Sequence, residues 1–287
     1  MSSIKSVVII YNPKSTGNSE KNARDFAKKL KQEKIPVRCV PTEYAGHAKQ
    51  LAKQYAERPT PTMIISSSGD GGYHEVVSGV LSSSNPRAVV GVLPSGNAND
   101  HYHYMHKGNT LRRIKNDDYQ DIDVLQLEKG RKKYYAHSYI GLGMTPQIGE
   151  ILTKNDLNIF KETWLVLKNI FSIRSVKIEV NGHTKRFDHL VFLNIGRMSK
   201  YLKVANCGTM HDGEFDIVSV KSGSFHQLIL HLFIAASRGA IAEKHASRYE
   251  FKCLRGLKIQ LDGEVISCRE GDKVIITSQR KALRTIV

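Results

Sequence analysis

Cysteine is sparse in this sequence and unpaired in pattern. Cys39, Cys207, Cys253 and Cys268 are the four in 287 residues, and no two stand at C-x-x-C spacing. Zinc sites and redox motifs therefore lack support, and a reducing, cytoplasmic compartment is expected. No apolar run approaches the roughly 18 residues a membrane-spanning helix needs. The start, Met1-Ser2-Ser3-Ile4-Lys5, enters a strand-like run directly, so no secretory leader is expected. Internal repeats, proline-rich linkers and low-complexity tracts are missing too. Acidic residues are few: 27 Asp+Glu against 43 Lys+Arg give 43 − 27 = +16 with histidine neutral. A field of that sign attracts nucleic acid, anionic lipid surfaces or phosphorylated substrates. Composition does not choose among them, and a lysine-rich solvated surface is the plain alternative. No recognisable RNA or DNA motif accompanies the charge, so no nucleic-acid partner is expected.

What is present describes a globular chain. Hydrophobic residues make up 40% and charged residues 24%, which excludes wholesale disorder. The length suits two domains. In the first hundred residues strand and helix periods alternate. Val7–Ile10, Ile35–Val40, Met63–Ile65 and Ala88–Leu93 read as strands. Ala23, Phe26, Ala27 and Leu30, then Ala48, Leu51, Ala52 and Tyr55, then Val76, Val77, Val80 and Leu81, carry helical spacing. This order predicts a parallel α/β sheet. Beyond about residue 120 strand-like runs follow one another: Ile122–Leu127, Lys133–Ile140, Val176–Val180, Leu190–Ile195, Phe215–Val220, Tyr249–Cys253, Leu257–Leu261 and Val274–Thr277. Asn181-Gly182 and Asp262-Gly263 read as hairpin turns. The second half is thus expected to be an antiparallel β-domain with helical insertions at about 158–172 and 224–243. The expected domains are 1–122 and 123–277.

Three loops carry the chemistry. Ser66-Ser67-Ser68-Gly69-Asp70-Gly71-Gly72 lies at a strand-to-helix junction, where free backbone N–H groups suit an anion. It is no Walker A loop, and the third glycine of a dinucleotide fingerprint would fall at His74. Asp70 would repel a phosphate, which points instead to a metal or a proton donor; helix capping is the alternative. Leu93-Pro94-Ser95-Gly96-Asn97-Ala98-Asn99-Asp100 and Asn12-Pro13-Lys14-Ser15-Thr16-Gly17 also follow strands. In a parallel sheet all three loops reach one edge, as a nucleotide site requires.

N-P-K-S-x-G at 12–17, S-G-D-G-x-x-H-E-V-V-x-G at 68–79, L-P-S-G-N-A-N-D at 93–100, D-G-E-F-D at 212–216 and L-D-G-E at 261–264 together resemble the diacylglycerol kinase catalytic-domain family, which includes bacterial diacylglycerol kinases and sphingosine and ceramide kinases. The likeness spans nearly the whole chain. It implies an N-terminal domain like that of NAD kinase and a C-terminal β-sandwich, with ATP and Mg²⁺ in the cleft between them. It also implies that the tail 278–287 returns to the first domain. The implied reaction is transfer of the γ-phosphate of ATP to a lipid hydroxyl, with diacylglycerol the first candidate. A sphingoid-base kinase, a soluble small-molecule kinase of the NAD kinase-like group and a non-catalytic membrane-binding regulator are the alternatives.

Carried over onto this sequence, the resemblance places Asn12, Lys14, Gly17, Thr42, Gly69, Gly71, Glu75, Ser95, Gly96 and Asn97 at the nucleotide. Helix capping is the other reading of Thr42. Asp70, Asp100 and Asp123 match the acidic network that positions catalytic Mg²⁺, with an exposed strand-end aspartate as the alternative for Asp123. Glu264 matches the family base, although sphingosine kinases give that role to the aspartate matching Asp70. A second, structural Mg²⁺ would be held by the Asp212 carboxylate and the carbonyls of Thr209 and Glu214. The chain also departs from the pattern. The usual G-G-D-G-T-x-N-E becomes Ser68-Gly69-Asp70-Gly71-Gly72-Tyr73-His74-Glu75, losing a threonine hydroxyl at Gly72. The aromatic-alanine-arginine after N-D becomes His101-Tyr102-His103-Tyr104-Met105-His106, for which packing rather than metal binding is expected. A lipid kinase works at a bilayer, so peripheral association with an anionic membrane is expected. Lys161 and Lys168, among the aromatic residues of 158–172, are the proposed contact. Homodimer formation is left open.

Overall fold

The computed structural model describes residues 4–15, 17–96, 99–105, 108–144, 146, 175–198, 202–205, 208–222, 240–241 and 244–286. The chain divides into two compact units. The first comprises Met1–Val124, Met210–Gly213 and Gln279–Val287, and the second Leu125–Thr209 and Glu214–Ser278. Residues 210–213, expected in the second domain, thus belong to the first unit.

In the first unit β1 (Ser6–Tyr11), α1 (Ser19–Gln32), β2 (Val37–Pro41), α2 (His47–Ala56), β3 (Thr62–Ser68), α3 (Asp70–Leu81) and β4 (Val90–Pro94) alternate. α4 (Asp100–Met105), α5 (Thr110–Lys115) and the start of β5 (Tyr119–Lys129) follow. The strands pair in parallel in the order β4-β3-β1-β2. Val7, Val8, Ile9 and Ile10 are all buried, as a strand covered on both faces requires. Ala23, Ala27 and Leu30 turn one face of α1 onto this sheet, and the two alanines let the helix lie close. Helices α4 and α5 were not anticipated: six residues each give too little periodicity to read. The Asn109 side chain caps α5 by accepting from the Leu111 and Arg112 amides. His101 is buried in α4, its ring 4.9 Å from that of Tyr73, which fits packing for the 101–106 stretch.

The second unit contains β6 (Lys132–Ala136), β7 (Tyr139–Gly143), β8 (Val176–Val180), β9 (His183–Leu193), β10 (Arg197–Met198) and β11 (Leu202–Ala205). β12 (Phe215–Lys221), β13 (Ala240–Ile241), β14 (Lys244–Ala246), β15 (Arg248–Cys253), β16 (Leu257–Leu261), β17 (Glu264–Cys268) and the start of β18 (Lys273–Ile286), whose end belongs to the first unit, complete it. The main sheet is antiparallel in the order β17-β16-β7-β9-β8-β15-β18, with β12 also on β9 and β14 on β12. Phe192, Phe215, Phe251 and the partly buried Tyr249 occupy its core. Asn181-Gly182 and Asp262-Gly263 are hairpin turns with positive φ at both residues, the twist that two-residue hairpins favour.

Several elements differ from expectation. The run Lys133–Ile140 is two strands broken at 137–138. β18 does not stop at Thr277 but continues to Ile286, where Thr285 pairs in parallel with Val90 of β4. The insertion 158–172, with Lys161 and Lys168, lies outside the described residues. So does most of 224–243, whose described residues Ala240 and Ile241 are strand paired with β11 rather than helix. No helix among the described residues is long and apolar enough to cross a membrane.

Candidate functional site

The candidate site begins with strand ends. Parallel pairing brings the loops after β1, β3 and β4 to one edge of the first unit's sheet. They then touch at glycines. A Cβ on Gly17 would fall 1.8 Å from the Ser95 carbonyl oxygen, and one on Gly96 would fall 2.4 Å from the Gly69 Cα. Side chains there would drive the loops apart, so glycine at these positions sets how closely the loops approach. A Cβ on Gly71 would meet nothing within 4 Å, so that position faces open space.

Hydroxyl and amide groups lock the arrangement. Ser19, the first residue of α1, accepts from the Asn12 amide, donates to the Ser67 carbonyl and receives on its own carbonyl the Ser67 hydroxyl at 2.7 Å. The Asn22 amide group donates to Ser95 Oγ at 2.9 Å. Asn99 accepts from the Gly96 amide and donates back to the Gly96 carbonyl. Ser19, Asn22, Ser67 and Asn99 were not read from the sequence; nothing in their spacing marks them. Ser95, expected at the nucleotide, uses its hydroxyl to tether its own loop.

Between the loops after β1 and β2 and the start of α3 lies a cavity of about 450 Å³, lined among others by Asn12, Lys14, Thr42, Tyr44, Ser68 and Glu75. The Asn12 side chain accepts from the Lys14 amide and so turns the loop. The Thr42 amide donates to the Tyr11 carbonyl at 2.8 Å. Thr42 does not cap α2, whose N-cap is Gly46 with no side-chain cap. Glu75 accepts from the Gly46 amide at 3.1 Å, binding the 42–46 loop to α3. Tyr44 went unnoticed in the sequence. It is 54% exposed, and its ring stacks on His47 at 4.5 Å and 7°, so a flat aromatic face borders a polar cavity.

Asp70 and Asp100 open α3 and α4, and the His101 amide donates to Asp70 Oδ1 at 3.4 Å. Two carboxylates at two neighbouring helix starts offer hard oxygen ligands of the kind Mg²⁺ takes. No three His, Cys, Asp or Glu side chains gather at metal-binding distance among the described residues. Mg²⁺ keeps several waters and needs only one or two carboxylates, so the Asp70–Asp100 pair fits it.

Asp123 serves the backbone. Asp123 is fully buried; Oδ2 accepts from the Gly213 amide and Oδ1 from the Lys281 amide, both at 2.7 Å. Each Asp123 oxygen thus holds one backbone amide. Lys281 adopts a positive φ within β18 to make its bond. Asp121 beside Arg284 and Arg87 is held below the usual carboxylate range, chiefly by the Arg284 hydrogen bond. Thr209, Asp212 and Glu214 are exposed on the turn before β12, with Asp212 one residue from the Gly213 amide that Asp123 binds.

In the second unit Glu264 is exposed at the start of β17, directly after the Asp262-Gly263 turn. Asp262 itself is buried and accepts from the amides of His137, Ser138 and Tyr139 at 2.7, 3.1 and 2.9 Å. Those bonds turn the chain at 137–138 and explain why the expected long strand is broken there. Asp216 repeats the device in part, accepting from the Gly208 amide, with His245 Nδ1 2.5 Å from its other oxygen. Asn97 lies outside the described residues.

Comparison with known proteins agrees on one family. Residues 6–127 match the family model described as the diacylglycerol kinase catalytic domain. A Bacillus subtilis (strain 168) protein named diacylglycerol kinase is 24% identical over 278 residues, covering 91% of this chain and 90% of its own. A Staphylococcus aureus (strain bovine RF122 / ET3-1) protein of the same name is 25% identical over 279 residues, covering 89% and 85%. A crystal structure of a diacylglycerol kinase from Bacillus anthracis str. Sterne shares the fold, with a TM-score of 0.69 over 98% of this chain and 96% of its own, at 18% identity.

Proposed function

Because residues 6–127 match the diacylglycerol kinase catalytic-domain model, we propose that this chain is a lipid kinase of that family, transferring the γ-phosphoryl group of ATP to diacylglycerol with Mg²⁺. The observation that carries the reading is the glycine-gated meeting of three loops beside a polar cavity, with Asp70 and Asp100 at adjoining helix starts. We read the first unit as an NAD kinase-like nucleotide domain, supported by its parallel strand order and by the loops at the strand ends. The second unit is read as the lipid domain.

In this mechanism Asn12, Lys14 and the 69–72 turn bind the phosphates, and Tyr44 offers its face to the base. Asp70 and Asp100 would hold Mg²⁺ through water, where it would neutralise phosphate charge. Phosphoryl transfer is mostly positioning, so the loops that glycine brings together supply geometry rather than covalent chemistry. Glu264 accepts the proton of the attacking hydroxyl, a task for a carboxylate because an unactivated alcohol holds its proton tightly. The net charge of +16 favours docking on an anionic membrane, which co-sedimentation with anionic against neutral vesicles would measure.

A second acceptor is favoured by one feature: the wording S-G-D-G-x-x-H-E-V-V is closer to sphingosine kinases. Radiolabelled ATP with diacylglycerol, sphingosine, ceramide and a water-soluble alcohol tests both readings. Label is expected in phosphatidic acid. Label in the sphingoid base alone would move the acceptor, and label in the soluble alcohol alone would remove the lipid reading.

A further inference from the structure

Two cysteines that stand fifteen positions apart in the sequence share one corner of the second unit. Cys253 ends β15 and Cys268 ends β17, and both are buried in the same apolar cluster. Two short connections build the corner. Residues 254–256 lead from Cys253 into β16, whose first residue, Leu257, pairs with Cys268. Residues 269–272 lead from Cys268 toward β18, and this turn closes on Cys253. The Gly271 amide donates to the Cys253 carbonyl at 2.8 Å, and the Cys253 amide donates to the Asp272 carbonyl at 2.9 Å. Each cysteine is thus held against the chain just beyond the other, and the two thiols hydrogen-bond to one another.

The two sulfurs are unlike. The hydrogen bond from Cys253 holds the Cys268 thiol below its ordinary value, and the nearby Lys129 ammonium acts in the same direction. Lys129 is anchored there by donating to the Ser267 carbonyl at 2.6 Å. The same bond between the thiols, together with burial, pushes Cys253 far up. Cys268 is therefore the sulfur that takes the negative charge, and Cys253 the one that keeps its proton. Cys39 in the first unit has its thiol on the Ala23 carbonyl instead, at 3.7 Å.

We propose that Cys253 and Cys268 form a reversible disulfide when the protein meets hydrogen peroxide, and that this bond locks the β16–β17 hairpin. The Cys268 thiolate attacks a peroxide oxygen. The S–O bond forms, the O–O bond breaks, and the departing hydroxide takes up the proton that Cys268 had released. The Cys253 sulfur then attacks the sulfur of the Cys268 sulfenic acid. The S–S bond forms, the S–O bond breaks, and the hydroxide leaves as a second water with the Cys253 proton. Two thiols and one peroxide give one disulfide and two waters. Only a small oxidant suits the site, because Cys268 is 4% exposed and Cys253 fully buried. A Cβ on Gly256 would meet only the Cys268 carbonyl oxygen, at 3.7 Å, so the corner is loosely filled on that side. The loop closed by the bond, residues 254–267, holds all of the hairpin except Cys268 itself, including the Asp262-Gly263 turn. Closing it restricts the unfolded chain. None of this depends on what the first unit binds.

The test is the whole protein treated with hydrogen peroxide, digested without reduction and weighed by mass spectrometry. The peptides carrying 253 and 268 are expected joined and lighter by two hydrogens, and dithiothreitol should part them. The oxidised protein should melt roughly 5–10 °C higher, a rise that dithiothreitol abolishes. Amides of 257–267 should exchange more slowly with deuterium. At the same peroxide dose Cys253→Ala should carry Cys268 on to the sulfinic acid, whereas Cys268→Ala should leave Cys253 a thiol. Peptides that stay separate in the parent, while its methionines are oxidised, would overturn the disulfide. A disulfide that changes neither melting nor exchange would overturn the lock. Oxidation of Cys253 in Cys268→Ala would overturn the order of attack. The parent protein decides the first two points, so neither rests on a variant folding.

Discussion

The loops of the two units are held by opposite means. In the first unit the loops after β1, β3 and β4 meet backbone to backbone, at glycines where any side chain would collide. In the second, the turn at 137–139 is gathered by the buried carboxylate of Asp262, and Gly208 is held by that of Asp216. The close approach leaves a few polar groups turned toward a cavity, a surface suited to a multiply charged ligand. Buried carboxylates instead spend acceptor capacity on backbone amides. An aspartate beside a glycine therefore has two meanings here. Asp70 opens α3 beside the proposed ligand surface, and Asp262 serves the chain. Asp123 follows the second rule although it lies in the first unit.

Exchanging the expected roles of these two aspartates would break the comparison. Asp70→Asn is expected to lower phosphoryl transfer to lipid by roughly a thousandfold, with the circular dichroism spectrum and urea midpoint unchanged. Asp262→Ala should do the reverse to stability: with three amides left unpaired, urea denaturation is expected to show a loss of about 3 kcal/mol or more. Glu264→Gln, two residues on, should leave that midpoint in place and lower turnover. A stable Asp262→Ala protein would remove the carboxylate-clamp account.

Acid should find the second unit first. His189 is buried in the sheet, and burial pushes its imidazole from 6.5 down to about 4. The unfolded chain takes up a proton near pH 6.5 that the folded chain refuses until about 4. Stability is thus fully present above that window and declines through it as pH falls, by about 3 kcal/mol in total. Urea midpoints between pH 7 and 4 would follow the decline, and His189→Leu should flatten it. Gly96→Ala sharpens the comparison from the other side. It is expected to cost about 2 kcal/mol by overpacking against Gly69 and to weaken ATP binding as the loops part. The smallest effect is expected from Tyr44→Ala, a rise of about fivefold in KM for ATP with no change in melting, if the exposed ring supports the base.

The first unit was the more legible in sequence because its signals are local. Strands covered on both faces read as unbroken apolar runs, and helices that turn one face to a sheet show it every three or four residues, as in Ala23, Ala27 and Leu30. The close approach of the loops was readable as well, since glycine after a strand leaves few alternatives. What escaped were partners far apart in sequence. Nothing near Asp262 announces that it will take amides from residues 137–139, so the run Lys133–Ile140 looked continuous. Asp123 reads as part of the acidic network, with an exposed strand end as the alternative, and neither reading foresees its bonds to the amides of residues 213 and 281. Ser19 and Asn22 look like any first turn of a helix until Ser67 and Ser95 are brought beside them. Tyr44 carried no pattern at all; only its exposure beside a cavity marks it.

The pairing of Thr285 with Val90 has a consequence for how the protein is made. The unit that contains β1 to β4 lacks its edge neighbour for β4 until Thr285, almost two hundred residues later, has been synthesised. Before then that edge is an unpaired template open to other nascent chains. A fragment ending at Val124 would keep the vulnerability permanently, whereas a version with the closing peptide spliced ahead of β1 could finish the domain while still being translated.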